Sequence, residues 1–114
     1  MLTTILNHEI DPITKLPTLK QMHMDYAERL PKRVVIVKID DMAAYNSEYG
    51  EDVGNRLIQK VAKVLKNYAQ EFPDYGITIY KLRSNFAITY DTEVSDEFLR
   101  MRYARLQELE FKNF

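Results

Sequence analysis

Residues 33–57 read RVVIVKIDDMAAYNSEYGEDVGNRL, and this stretch decides the fold. Residues 33–39 are mostly β-branched and nearly all apolar, which reads as a central strand buried on both faces. Asp40 and Asp41 stop it. Residues 41–46 supply one or two helical turns, and Gly50 is placed to close them as a left-handed C-cap. A long helix is predicted over 51–70. Val53, Leu57, Val61, Leu65 (or Val64), Tyr68 and Phe72 recur there at three- and four-residue steps. Glu51 and Asp52 fall in its first turn, where negative charge suits the helix dipole. Gly54 costs that helix roughly 1 kcal/mol relative to alanine, so something is expected to pack close against its backbone. The plainest form is a tight helix crossing.

Upstream, residues 1–18 are irregular, with Pro12 and Pro17 as breakers. Thr18 is predicted to N-cap a helix over 19–30 with Leu19, Met22, Tyr26 and Leu30 on one stripe, and Pro31 ends it. Downstream, GITIYK (76–81) and NFAITY (85–90) read as strands of a hairpin joined by Leu82, Arg83 and Ser84. Ser95 is predicted to N-cap a last helix over 96–109, leaving the tail LEFKNF as a short strand or a frayed end. A helical preamble followed by β-α-β-β-α is the start of a ferredoxin-like split βαβ plan: an α+β fold whose antiparallel-containing sheet carries helices. A clear final strand is missing. That strand would lie beside the first, so without it strand 33–39 is an open apolar edge, and such edges pair with other chains. A homodimer or higher oligomer is expected, or a tail at 109–114 that folds back as the missing strand.

The 114 residues suit one domain. Sixteen Lys and Arg against 17 Asp and Glu leave a net charge of −1, which gives no electrostatic case for a nucleic-acid or membrane-surface partner. The absence of cysteine excludes disulfides, thiolate metal sites and cysteine nucleophiles. No apolar run approaches the roughly 20 residues of a membrane span, and MLTTILNHEI is not built like a secretory signal. A cytoplasmic location is the expectation.

His8 and His23 lack ligand-like spacing and read as ordinary surface or partly packed residues. The glycines, Gly50, Gly54 and Gly76, make no phosphate-cradling loop of the P-loop or dinucleotide type. Asp40 and Asp41 are a carboxylate pair at a strand end, where a metal could sit, but the pair reads first as a turn or helix cap. Arg100, Arg102 and Arg105 are diluted by Glu97, Glu108 and Glu110 and read as a solvated helix face.

DDMAAYNSEYGEDVGNRL, residues 40–57, resembles the D-x-F-K-x-x-N-D-x-x-G-H-x-x-G-D-x-x-L segment of GGDEF domains, the diguanylate cyclase family, with Asp40, Asn46, Gly50 and Gly54 in register and Leu57 one residue short of the family's Leu. DPITKLPT, residues 11–18, is similar to the family's D-x-L-T-G-L-x-N motif at Asp11, Thr14, Leu16 and Pro17. The predicted hairpin falls where the family's signature turn belongs, but Leu82, Arg83, Ser84, Asn85 and Phe86 keep only its Phe. The resemblance covers nearly the whole chain. The family domain continues further, so 1–114 is expected to be a single degenerate and incomplete domain, with 1–18 as a leading segment and 19–114 as its β/α core.

The resemblance also implies where chemistry should be. Active members hold Mg²⁺ with two carboxylates, at the positions of Lys38 and Ser84 here. An ammonium cannot ligate a cation, and a hydroxyl is a weak substitute for a carboxylate with such hard ions. Phosphoryl transfer rests on metal and positioning, so no catalytic residue, metal or cofactor is assigned. The paired glycines of the turn are Leu82 and Arg83, and the family's F-K is Met42-Ala43. Of the guanine-reading pair Asn46 is kept, whereas the family's Asp is Asn55, a weaker acceptor. The inhibitory R-x-x-D falls on Pro73 and Gly76 and is absent. The implied function is a catalytically inactive regulatory or dimerising module of a bacterial cyclic di-GMP signalling protein. Its partners would be a second copy or a flanking phosphodiesterase or sensor domain. Asn46, Gly54, Asn55, Lys38 and Arg83 are then vestigial substrate positions, with weak GTP binding left open. Lys38 and Arg83 would either hold phosphate without metal, or Lys38 would close the site against Asp40, Asp41 or another carboxylate. Two further readings stay open: a divergent cyclase or GTP-binding domain, and a ferredoxin-like interaction domain with no nucleotide role.

Overall fold

A computed structural model describes residues 9–39, 41–83 and 85–112, with residues 105–112 as backbone only. His8, Asp40, Ser84 and the Arg105 side chain, on which expectations above fall, lie outside the described residues. The elements run α1 (Leu19–Glu28), β1 (Arg33–Lys38), α2 (Met42–Tyr49), α3 (Glu51–Glu71), a 3₁₀ turn (Pro73–Tyr75), β2 (Ile77–Lys81), β3 (Asn85–Tyr90) and α4 (Asp96–Lys112).

The three strands form one sheet in the order β1-β3-β2. β3 is antiparallel to both neighbours, so β1 and β2 run parallel with β3 between them, the expected split βαβ arrangement. The register sorts side chains by face. Val35 and Val37 lie level with Ile88 and Phe86, and these with Ile79 and Lys81. This face meets Val61, Ala62, Leu65 and Tyr68 of α3, Leu99 of α4 and Leu16 in the main core. Of the stripe that helical spacing selects on α3, Val61, Leu65 and Tyr68 are buried and Val53, Leu57 and Phe72 half-buried, while Gly54 and Ala62 are buried as well. On the other face, Met22 of α1 packs with Tyr80 and Ala87, flanked by Tyr26 and Leu82.

Several polar groups in these layers are paired, whereas the Tyr26 hydroxyl is buried in the α1-side layer without a partner among the described residues. The Tyr90 hydroxyl lies 2.8 Å from that of Tyr68 and 3.0 Å from that of Tyr103, linking β3 to α3 and α4. Burial pushes Tyr68 and Tyr90 well above the ordinary tyrosine range, helped at Tyr68 by its bond to Tyr90 and at Tyr90 by its bond to Tyr103 against that to Tyr68, and burial raises Tyr103 to about 12. Tyr80 donates to Asp25 at 2.6 Å, fixing α1 on β2, and Gln21 donates to the other oxygen of Asp25 at 2.9 Å. Burial first, and then that bond, raises the Tyr80 pKa.

Several expectations are corrected. Among the described residues β1 lies at the sheet's edge, as the missing final strand implied, and is not buried on both faces as its composition suggested. Its inward residues are half-buried, while Val34 and Ile36 are 43 % and 46 % exposed, because α1 covers β2 and β3 and leaves β1 open. α1 stops at Glu28, so Leu30 is exposed, as is Leu19 at its start. Thr18 holds the N-cap position in an extended conformation, but its hydroxyl caps nothing. The tail does not return as a strand: α4 continues helically to Lys112, past the expected end at 109. Ser95 does cap that helix, accepting from the Phe98 N–H at 3.1 Å. Gly50 closes α2 with φ 95° and ψ 156°, a positive-φ conformation favouring glycine but not the left-handed helical one expected. Gly76, at φ 59°, is left-handed.

Candidate functional site

The singled-out residues fall into two groups. The first is the end of β1 beside the β2–β3 hairpin. Lys38 lies level with Asn85 in the ladder, and the Leu82 N–H donates to the Asn85 carbonyl at 2.8 Å, so Arg83 lies in the turn. The hairpin is anchored through its flanks. Leu82 packs in the α1-side layer, and Phe86 is fully buried in the main core. Lys38 and Arg83 are exposed, and the Lys38 side chain makes no hydrogen bond or ion pair to another described residue.

Lys81, which the sequence reading did not single out, supports this turn from beneath. Its ammonium donates to the Leu82 carbonyl and, at 3.2 Å, to the Arg83 carbonyl, and it lies 5.5 Å from the centre of the Phe86 ring. Burial lowers the Lys81 pKa, with Asp11 opposing. A lysine closing an otherwise apolar strand, one residue before a turn, is the signal that could have found it.

The second group is the junction of α2 and α3. Asp41 starts α2 with φ 59°, and the Gly50 N–H donates to the Asn46 carbonyl at 2.8 Å. The Asn46 side chain lies directly over Gly54: a Cβ there would fall inside the envelope of Asn46 Oδ1. The close approach expected at Gly54 is therefore a polar side chain at a helix crossing. Asn46 Oδ1 is buried and has no hydrogen-bond partner, an arrangement costing about 1–3 kcal/mol. Asn55 is half-buried one residue further along α3. Asn46 and Gly54 are thus brought together, whereas no hydrogen bond or ion pair among the described residues joins them to Lys38 or Arg83.

The site was tested against the divalent ions that the resemblance implies. Lys38 brings an ammonium to the strand end, Asp41 is exposed in the turn beyond, and no group of three or more His, Cys, Asp or Glu gathers among the described residues. The described residues there do not fit a divalent cation.

The other motif residues are structural. Asp11 accepts from both the N–H and the hydroxyl of Thr14 at 2.8 Å, and Lys66 of α3 donates to the Thr14 carbonyl at 2.7 Å, clamping the leading segment onto α3. His23 and Arg100 are exposed as expected. Arg102 departs from the solvated face: its guanidinium lies 4.5 Å from the Phe72 ring centre and 5.3 Å from that of Phe98. Among the described residues no helix is long and apolar enough to cross a membrane.

The profile described as diguanylate cyclase, GGDEF domain, matches residues 8–85. No curated protein matches. Among solved structures, a diguanylate cyclase/phosphodiesterase from Caldicellulosiruptor saccharolyticus superposes with a TM-score of 0.68 at 20 % identity, over 92 % of this chain and 65 % of that one. The coiled coil and GGDEF domain of DgcB from Caulobacter crescentus, in complex with c-di-GMP, gives 0.70 at 18 % identity, over 86 % and 53 %. Vibrio cholerae LapD, an S helix-GGDEF-EAL protein bound to c-di-GMP, gives 0.69 at 18 % identity, over 86 % and 24 %. The chain thus spans less than two thirds of each of these structures. At such identities they show a shared fold, and the profile match covers well over half of this sequence. The chain belongs to the diguanylate cyclase GGDEF-domain family.

Proposed function

We propose that this chain is a catalytically inactive GGDEF module of a bacterial cyclic di-GMP signalling protein, acting in the cytoplasm as a regulatory or dimerising unit. The observation that carries the reading is Lys38: it stands exposed at the end of β1, level with the hairpin, where the family places a metal-binding carboxylate. Without metal at that point the transferring phosphoryl group has neither charge neutralisation nor alignment. The hairpin adds to the case, since Leu82 is drawn into the α1-side layer and cannot offer the open backbone of a glycine. Multidomain proteins among the structural neighbours support a flanking phosphodiesterase or sensor domain as partner.

Titration calorimetry with GTP tests the reading. No Mg²⁺-dependent heat is expected, and Mg²⁺-dependent binding that is lost in EDTA overturns it. The exposure of Lys38 and Arg83 favours a second reading, in which the two cations hold phosphate without metal. Heat that persists in EDTA and disappears in Lys38→Ala supports it.

A further inference from the structure

The leading segment, residues 9–18, and the β2–β3 turn meet at Lys81, and we infer that this segment is a releasable strap whose docking holds the turn closed through that lysine. This goes beyond the loss of chemistry to the regulation of the same end of the sheet. It rests on contacts within the chain and stands whether or not nucleotide binds.

The strap is tied to β2, α3 and α1. On β2, the Lys81 N–H donates to the Pro17 carbonyl at 2.8 Å, and Thr18 bridges Lys81 in parallel. On α3, Lys66 and Gln59 donate to the Thr14 and Ile13 carbonyls at 2.7 and 3.1 Å. On α1, the Glu9 N–H donates to Gln21 at 3.2 Å, and the Glu9 carboxylate pairs with Lys20 at 3.6 Å on the surface. Leu16 joins the main core.

The strap also carries the marks of an element that leaves before the core does. Lys15 holds a left-handed backbone at φ 63°, a conformation that only glycine adopts without strain. The Thr18 hydroxyl is buried without a partner among the described residues, a penalty that release into water removes. Ile10 and Lys15 face solvent. Segments held mainly by hydrogen bonds near the surface open locally while the rest of the fold stays intact.

Lys81 belongs to both structures. Its backbone holds the strap, and its ammonium donates to the Leu82 and Arg83 carbonyls of the turn. The charge of Asp11, at the head of the strap, opposes the cost of burying that ammonium. With the strap docked, the half-buried ammonium takes the turn carbonyls as its acceptors. With the strap displaced, Asp11 and the Pro17 bond are lost, water reaches the ammonium, and nothing keeps it on the turn. Docked and released are then two states that both ends bias, and the coupling is reciprocal. A pull on the chain ahead of Glu9 loosens the turn, and whatever fixes the turn seats the strap.

Amide hydrogen exchange of the full chain, read residue by residue by NMR, tests this. Thr18, whose N–H donates to Glu9, reports on the strap; Leu82, whose N–H donates to Asn85, reports on the turn; Ile88 reports on the core. Thr14→Val removes a hydroxyl that donates to Asp11 and accepts from the Leu16 N–H, away from the turn. Thr18 and Leu82 should both exchange about tenfold faster or more, with Ile88 unchanged. Lys81→Met alone should accelerate the same pair, and in that background Thr14→Val should no longer move Leu82. Lys66→Met, which frees the Thr14 carbonyl, gives the same pattern and serves if the valine variant does not fold. A strap that loosens while Leu82 stays unmoved overturns the inference. So does a Leu82 response of equal size in the Lys81→Met background, or a Thr18 amide that neither strap variant accelerates ahead of Ile88, which would make the segment part of the core.

Discussion

Gly54→Ala should act against its own helix propensity. An alanine in the body of α3 gains about 1 kcal/mol over glycine. Here its Cβ would occupy the space of Asn46 Oδ1, with Asn46 Cγ only 2.8 Å away, and overpacking of that kind costs about 1–3 kcal/mol. The clash should win, leaving the variant destabilised by about 0–2 kcal/mol. Asn46→Ala removes the obstacle and a buried carbonyl without a partner, and alanine is the better helix former. The double variant should therefore exceed the parent by about 1–2 kcal/mol, with a coupling energy of about 1–3 kcal/mol between the two sites. Urea unfolding of all four proteins, followed by circular dichroism, measures the cycle. If Gly54→Ala alone is stabilising by about 1 kcal/mol and the coupling is zero, the account of this helix crossing is wrong.

Other outcomes follow from the same structure. Tyr90→Phe removes the oxygen shared by the Tyr68 and Tyr103 hydroxyls and should cost about 1–3 kcal/mol in urea unfolding by stranding buried donors. Stability should fall at alkaline pH: Tyr68, Tyr80, Tyr90 and Tyr103 are all held neutral above the free tyrosine value of about 10. Their contribution is intact below pH 10 and is lost as pH rises from there through the raised values, beginning near 12 for Tyr103, as a melting series would show. Ser95→Ala removes the cap of α4 and should cost about 1 kcal/mol. Lys38→Asp with Ser84→Glu should not restore turnover, because half-buried Leu82, together with Arg83 and Ala43, remains unlike an active site.

What was legible in the sequence was local. The long helix follows from apolar spacing between Val53 and Tyr68, the cap from Ser95, and the hairpin from two β-branched runs joined by three residues. RVVIVKI alone reads alike at the centre and the edge of a sheet, so its composition misled toward burial on both faces; only the missing final strand pointed to an edge. Leu19 and Leu30 misled for a related reason: periodicity marks a face but not how much of it the neighbouring layer covers. At the site, Asn46 and Gly54 were visible through the family motif, whereas the physical cause of Gly54 needed the crossing of α2 and α3. Lys81 escaped notice because its role lies in carbonyls that the hairpin aims inward.

The central claim is that the fold of this family has been kept while its chemistry has been lost. Incubation of the full chain at high concentration with GTP and Mg²⁺ or Mn²⁺, followed by chromatography of the nucleotides, tests it most directly. The account expects unchanged GTP. Accumulation of cyclic di-GMP in proportion to protein, abolished by EDTA, would contradict it.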